Sequence, residues 1–178
     1  MPRLFTALEI PRDAALSLSL LRGGLPGARW IDVENYHLTL RFIGDIDGVS
    51  ANEIASTLER INRKPFEVSL RGLSSFGSKK PRAVVASVVP SRPLMELQAE
   101  LERLIQRFGF DPEGRKFIPH VTLARLRDAS NQDVADYLSL RGYFPARTFT
   151  ASRFVLFSSR ASVGGGPYVV EDAYALSA

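Results

Sequence analysis

Hydrophobic positions along this chain alternate between a strand period and a helix period, with turn residues between them. Arg3 to Glu9 reads as a buried strand closed by Pro11, and Asp13 to Leu21 as a helix ended by Gly23-Gly24. Gly27 to Asn35 reads as a loop around Trp30, and His37 to Ile43 as a strand stopped by Gly44. Ser50-Ala-Asn-Glu53 has the form of a capping box, and Ile54, Leu58 and Ile61 follow at helical spacing. Phe66, Val68 and Leu70 alternate with polar neighbours, as in a half-buried strand; Gly72 to Arg82 reads as a loop, and Ala83 to Val89 as a continuous apolar strand.

The second half repeats this logic. Leu94, Leu97, Leu101, Leu104 and Phe108 form a helical stripe stopped by Gly109, and Asp111 to Pro119 is a loop. His120 to Leu126 is a strand. Ser130 to Asp133 opens a helix with Val134 and Leu138 on its buried face. Phe149 to Phe157 is a strand, Gly164-Gly-Gly-Pro167 a turn, and Tyr168 to Leu176 a last strand. Strands and helices are mixed, and no glycine-rich phosphate loop follows a strand. The expected class is therefore α+β with antiparallel sheets rather than a dinucleotide or P-loop fold. No linker divides residues 1–178, so a single domain is expected.

The chain has two histidines, and both open the same tetrapeptide, His37-Leu-Thr39-Leu40 and His120-Val-Thr122-Leu123. Chance would place x-Thr-Leu after both only about once in tens of thousands of such chains. The two copies lie about half a chain apart, which suggests two similar halves around a shared cleft. On a strand, His37 and Thr39 share one face, and so do His120 and Thr122, while the intervening apolar residues anchor the strands. Two imidazoles and two hydroxyls around one point suit a phosphoryl group. One neutral imidazole takes a proton, the other, protonated, gives one, and the hydroxyls donate to the non-bridging oxygens.

Composition narrows the choices. There is no cysteine, hence no disulfide, thiolate nucleophile or Cys-bound zinc. With two histidines and no carboxylate inside either tetrapeptide, neither a metal nor a cofactor is expected. No apolar run is long enough to span a bilayer and the first residues do not form a signal peptide, so a cytoplasmic, non-membrane protein is expected. Net charge is +4, and Arg outnumbers Lys, which suits phosphate contacts but also fits a general compositional bias.

Both blocks, with their flanks, resemble the 2H phosphoesterases, a superfamily named for two H-x-[S/T]-x motifs. The closest likeness is to its RNA 2′,3′-cyclic phosphodiesterase branch, also called LigT or 2′-5′ RNA ligase. Arg3 to Glu9, Trp30, Asn35 to Gly44, Gly109-Phe110, Phe117 to Arg125, Phe154 to Ser158 and Gly166 to Tyr168 carry this resemblance. It implies a bilobal fold, two pseudo-symmetric lobes of antiparallel sheet with flanking helices around a central cleft. It also implies that His37 is the proton donor to the departing 3′ oxygen and His120 the proton acceptor that activates water, giving a 2′-phosphomonoester. In reverse, the same groups would make a 2′-5′ bond. Arg125 matches an H-x-T-x-x-R extension that holds phosphate, although strict alternation points it away from His120 unless the strand bulges.

Other residues are weaker candidates. Arg41 has the parity of His37 and reads as a solvated charge, with substrate contact the alternative. Phe5 and Phe42 read as core, with base stacking the alternative. Lys79, Lys80 and Arg82 read as a solvated loop, with RNA steering the alternative, and Tyr168 is a candidate to close the cleft. The expected partner is RNA with a 2′,3′-cyclic phosphate end, acted on by a monomer. A small-molecule enzyme for nucleoside or ADP-ribose cyclic phosphates, and a non-catalytic RNA-binding module, are the competing readings.

Overall fold

A computed structural model of the chain describes residues 3–159 and 167–177. The elements run β1 (Arg3–Glu9), α1 (Arg12–Ser19), β2 (Ala28–Trp30), a 3₁₀ turn (Val33–Asn35), β3 (His37–Asp45), α2 (Gly48–Leu58), β4 (Phe66–Phe76) and β5 (Ala83–Val88). They continue with α3 (Arg92–Arg107), β6 (His120–Leu126), α4 (Asn131–Arg141), β7 (Arg147–Ala151), β8 (Arg153–Ser159) and β9 (Tyr168–Ala175). The expected mixture of helices and antiparallel strands is present.

The strands form one antiparallel sheet in the order β7-β4-β5-β6-β3-β1-β8-β9, with β2 pairing β6 off this path. The order is symmetric about its centre. Each motif strand, β3 or β6, is the inner edge of a four-stranded half. The halves join through one residue pair, Leu38 opposite Val121. Both side chains are fully buried. Residues opposite one another point to the same side, so the neighbours His37, Thr39, His120 and Thr122 all project to the other side.

α3 binds the halves together. Its stripe of Leu94, Leu97, Leu101 and Ile105 is wholly buried, and it packs against both β3 and β4. Ile105, rather than Leu104, completes the stripe, because the helical period of 3.6 favours the i+4 step from Leu101. One core cluster contains Leu4, Leu8 and Leu38 from one half and Leu70, Val88 and Val121 from the other.

Several local expectations are corrected. The α2 cap is Asp47, whose carboxylate accepts from Ser50 N–H at 2.7 Å, so Ser50 lies inside the helix. The residues from Gly72 to Phe76 continue β4 instead of forming a loop. Gly72 takes φ +72° where the ladder with β5 is irregular, and beyond it Leu73 to Phe76 pair again. Ala28 to Trp30 leave the expected loop to pair with β6. On α4, Tyr137 joins Val134 on the buried face, and Leu138 is only half-buried.

The expected strand Phe149 to Phe157 is two strands split at Ser152. β7 pairs β4 and β8 pairs β1, near opposite ends of the sheet path. One linking residue spans at most about 7 Å, so the sheet curls until those ends meet at this corner. Of the expected turn at Gly164 to Pro167, the first three residues lie outside the described segments, as does Gly166 of the resemblance. α1 ends at Ser19, before the expected glycine stop.

Candidate active site

The cleft opens on the polar side of the β3–β6 seam and has a volume of about 740 Å³. Its lining includes His37, Thr39, His120, Thr122 and Arg125, all five site residues expected from the sequence. Elements distant in sequence thus bring both copies of the tetrapeptide to one surface.

The two imidazoles are held alike. Nδ1 of His37 lies 2.9 Å from the carbonyl oxygen of Asn35, and Nδ1 of His120 lies 2.8 Å from that of Ile118. A carbonyl only accepts, so each Nδ1 carries the proton and each neutral ring leaves Nε2 as its unprotonated nitrogen. Each ring also meets a phenylalanine of its own half of the sheet, from β1 beside β3 and from β4, one strand beyond β5. Phe5 lies 5.0 Å from His37 and Phe76 lies 4.7 Å from His120, centroid to centroid. Tyr168 adds an edge contact at 4.9 Å to His37.

Burial holds both rings neutral. The pKa of His37 falls to about 4, first through desolvation and then through the nearby His120 and Arg125; its hydrogen bond to Asn35 opposes the shift. That of His120 is also lowered by desolvation, against its bond to Ile118. An anion seated between the rings would favour their charged forms and raise both values.

Both motif strands carry a bulge at the same place. Along β3 the partners of β1 skip Leu40, and along β6 the partners of β5 skip Leu123. The extra residue reverses side-chain parity. Arg125 therefore returns to the face of His120 and lines the cleft, which strict alternation forbids. In β3 the same shift exposes Phe42 into the cleft and buries Arg41. Backbone groups freed by the bulges find partners. Arg41 N–H donates to the buried Thr6 hydroxyl at 3.1 Å, and Ile31 N–H donates to Leu123 O at 2.9 Å.

Arg41 is thus not the solvated charge expected. Its Nε pairs with Glu102 on α3 at 2.9 Å, and its guanidinium donates to the carbonyls of Phe42 at 2.5 Å and Asp111 at 2.6 Å. Phe42 is 46 % exposed and does not belong to the core as expected, whereas Phe5 does. Tyr168 lines the cleft; Lys79, Lys80 and Arg82 do not, consistent with a solvated loop. The sequence reading missed Phe76, concealed by the glycine and serines of β4. It also missed the cleft-lining segment Glu113 to Ile118, whose signal was Arg115-Lys116 just before the second motif. Among the described residues, no group of three or more His, Asp or Glu side chains is placed to hold a metal ion. Among the same residues, no helix is long and apolar enough to cross a membrane.

Such a cleft, with paired His-x-Thr strands on a doubled antiparallel sheet, defines a class with a known family model. Residues 25–162 match that of the 2′-5′ RNA ligase superfamily, and the chain belongs to this superfamily. A protein of Aeropyrum pernix named RNA 2′,3′-cyclic phosphodiesterase is 39 % identical over 124 residues, covering 68 % of this chain and 70 % of its own. One of Thermotoga maritima with the same name is 31 % identical over 179 residues, covering 94 % and 92 %. Among solved structures, E. coli LigT complexed with 3′-AMP superposes with a TM-score of 0.80 at 26 % identity, over 99 % of both chains.

Proposed function

We propose that this protein hydrolyses 2′,3′-cyclic phosphate ends of RNA to 2′-phosphomonoesters by metal-independent acid–base catalysis. The observation that carries this reading is the pair of imidazoles, each oriented through Nδ1 by the carbonyl two residues before it, on one cleft with Thr39, Thr122 and Arg125. The relatives named RNA 2′,3′-cyclic phosphodiesterase support the substrate.

His120 Nε2 accepts a proton from water, whose oxygen forms a bond to phosphorus. The bond from phosphorus to O3′ breaks, and His37, protonated at Nε2, delivers its proton to O3′. The products are a 2′-phosphate and a 3′-hydroxyl. Thr39, Thr122 and Arg125 donate to the non-bridging oxygens, where charge accumulates. With a 5′-hydroxyl in place of water, its oxygen bonds to phosphorus as the bond to O3′ breaks, and the same proton transfers give a 2′-5′ linkage without ATP. One chain supplies every group, so a monomer suffices.

The test is hydrolysis of a defined RNA ending in a 2′,3′-cyclic phosphate, with EDTA present. His37→Ala and His120→Ala should each lower kcat by about 10²- to 10⁴-fold, and the wild-type product should carry its phosphate on O2′. Full activity of His120→Ala would overturn the mechanism. RNA binding without turnover by the wild type would make the cleft a binding site only.

A further inference from the structure

The segment between α3 and β6 enters the cleft with two cations that the two-histidine chemistry does not use. Arg115 and Lys116 line the same cavity as both histidines. The Arg115 side chain is 92 % exposed, and its only described ion pair is a loose one with Glu113 at 3.6 Å. A pair this exposed contributes little, so the guanidinium is available to an anion at small cost.

Both ends of this segment are fixed to the catalytic strands. At its start, Asp111 O accepts from Arg41 of β3, itself buried and paired with Glu102. At its end, Ile118 O accepts from His120 Nδ1. The same residues that set the motif strands therefore set the distance from the reacting phosphate to the two cations. Arg125, by contrast, stands close enough to depress the pKa of His37, within the reacting centre.

We infer that Arg115 and Lys116 form a second phosphate subsite, which holds the internucleotide phosphate next to the cyclic end and makes an RNA strand a better substrate than a cyclic mononucleotide. This deepens the proposed function and rests on it. Arg41 is a positioning residue for the subsite, because its guanidinium is committed to Glu102 and to the carbonyls of Phe42 and Asp111, the last of which anchors the segment. Glu113 works against the subsite, since its carboxylate competes with phosphate for Arg115.

The experiment compares kcat/KM for a cyclic mononucleotide and for a tetranucleotide ending in the same cyclic nucleotide, across a salt series. The wild type should prefer the tetranucleotide, with a steeper salt dependence; each phosphate held on a single strand adds about 0.7 to the slope of log(kcat/KM) against log[salt]. In Arg115→Ala/Lys116→Ala the preference should fall by about tenfold or more and the extra slope should vanish. Glu113→Gln keeps an oxygen for the Arg115 N–H bond at 3.3 Å but removes the competing charge, so it should raise tetranucleotide kcat/KM about twofold. Arg41→Met should lower the preference mainly through KM, and Arg41→Lys should restore part of it. Lys79→Ala/Lys80→Ala removes the same charge outside the cleft and should leave both substrates unaffected. Equal wild-type use of both substrates, or loss of the extra slope in the Lys79/Lys80 variant, would overturn the subsite while the proposed function stood. Turnover of neither substrate would instead overturn the proposed function.

Discussion

The proton donor proposed at His37 works against its own surroundings. Desolvation and the neighbouring His120 and Arg125 take its pKa from 6.5 to about 4. An unfolded chain protonates this residue below about pH 6.5, while the folded chain resists until about pH 4. Unfolding therefore takes up a proton across that window, and stability falls as pH falls through it. The loss from this one residue approaches about 3 kcal/mol near pH 4 and vanishes above pH 6.5. Chemical denaturation of wild type and His37→Gln should diverge by that order between pH 7 and pH 4, with the variant the less sensitive. A constant difference would mean that burial does not keep the ring neutral. The same physics acts in catalysis. Bound phosphate favours both imidazolium forms, so the pH optimum of kcat, which reports the complex, should lie above that of kcat/KM, which reports free enzyme and substrate. Coincident optima would show that substrate charge does not reset the pair.

At the scale of the element, the two bulges decide what the sequence revealed and what it concealed. The duplicated tetrapeptide made His37, Thr39, His120 and Thr122 legible, because only period-two alternation was needed to place them on one face. Arg125 was legible as a pattern, but its geometry required a bulge that no residue type announces. Phe42 and Arg41 were misread for the same reason. Leu40 looks like any strand residue, yet as the extra one it sends Phe42 into the cleft and Arg41 toward Glu102. Ser152 was invisible as a strand break, because Phe149 to Phe157 keeps a strand composition while its ends pair with different halves. If the bulge at Leu123 serves to aim Arg125 at the phosphate, Arg125→Ala should lower kcat about 10²-fold or more. Arg125→Lys should recover part of this, since the charge returns without the fork geometry. Unchanged steady-state kinetics in Arg125→Ala would leave the bulge without a catalytic purpose.

A cleft between two four-stranded halves raises the question of whether the halves are separate bodies. Direct strand pairing across the seam is a single residue pair, too little to hold two sheets by itself. Three features join them more firmly. α3 packs on β3 and β4, the apolar core runs through both halves, and the corner at Ser152 links β7 to β8. A shared core makes opening of one half expose apolar surface of the other, so the two should unfold as one cooperative unit. Leu97 tests this, since it is wholly buried on α3. Leu97→Ala should remove about 2–5 kcal/mol of stability, from lost burial and the cavity left behind. The slowest amide protons of β1 in one half and β5 in the other should then lose protection by the same free energy. Loss confined to one half would mean that α3 serves only that half and that the catalytic cleft lies on a hinge. Equal loss would mean that the spacing of the two histidines is set by the common core, so that a substitution far from the cleft can weaken catalysis only by weakening the whole fold.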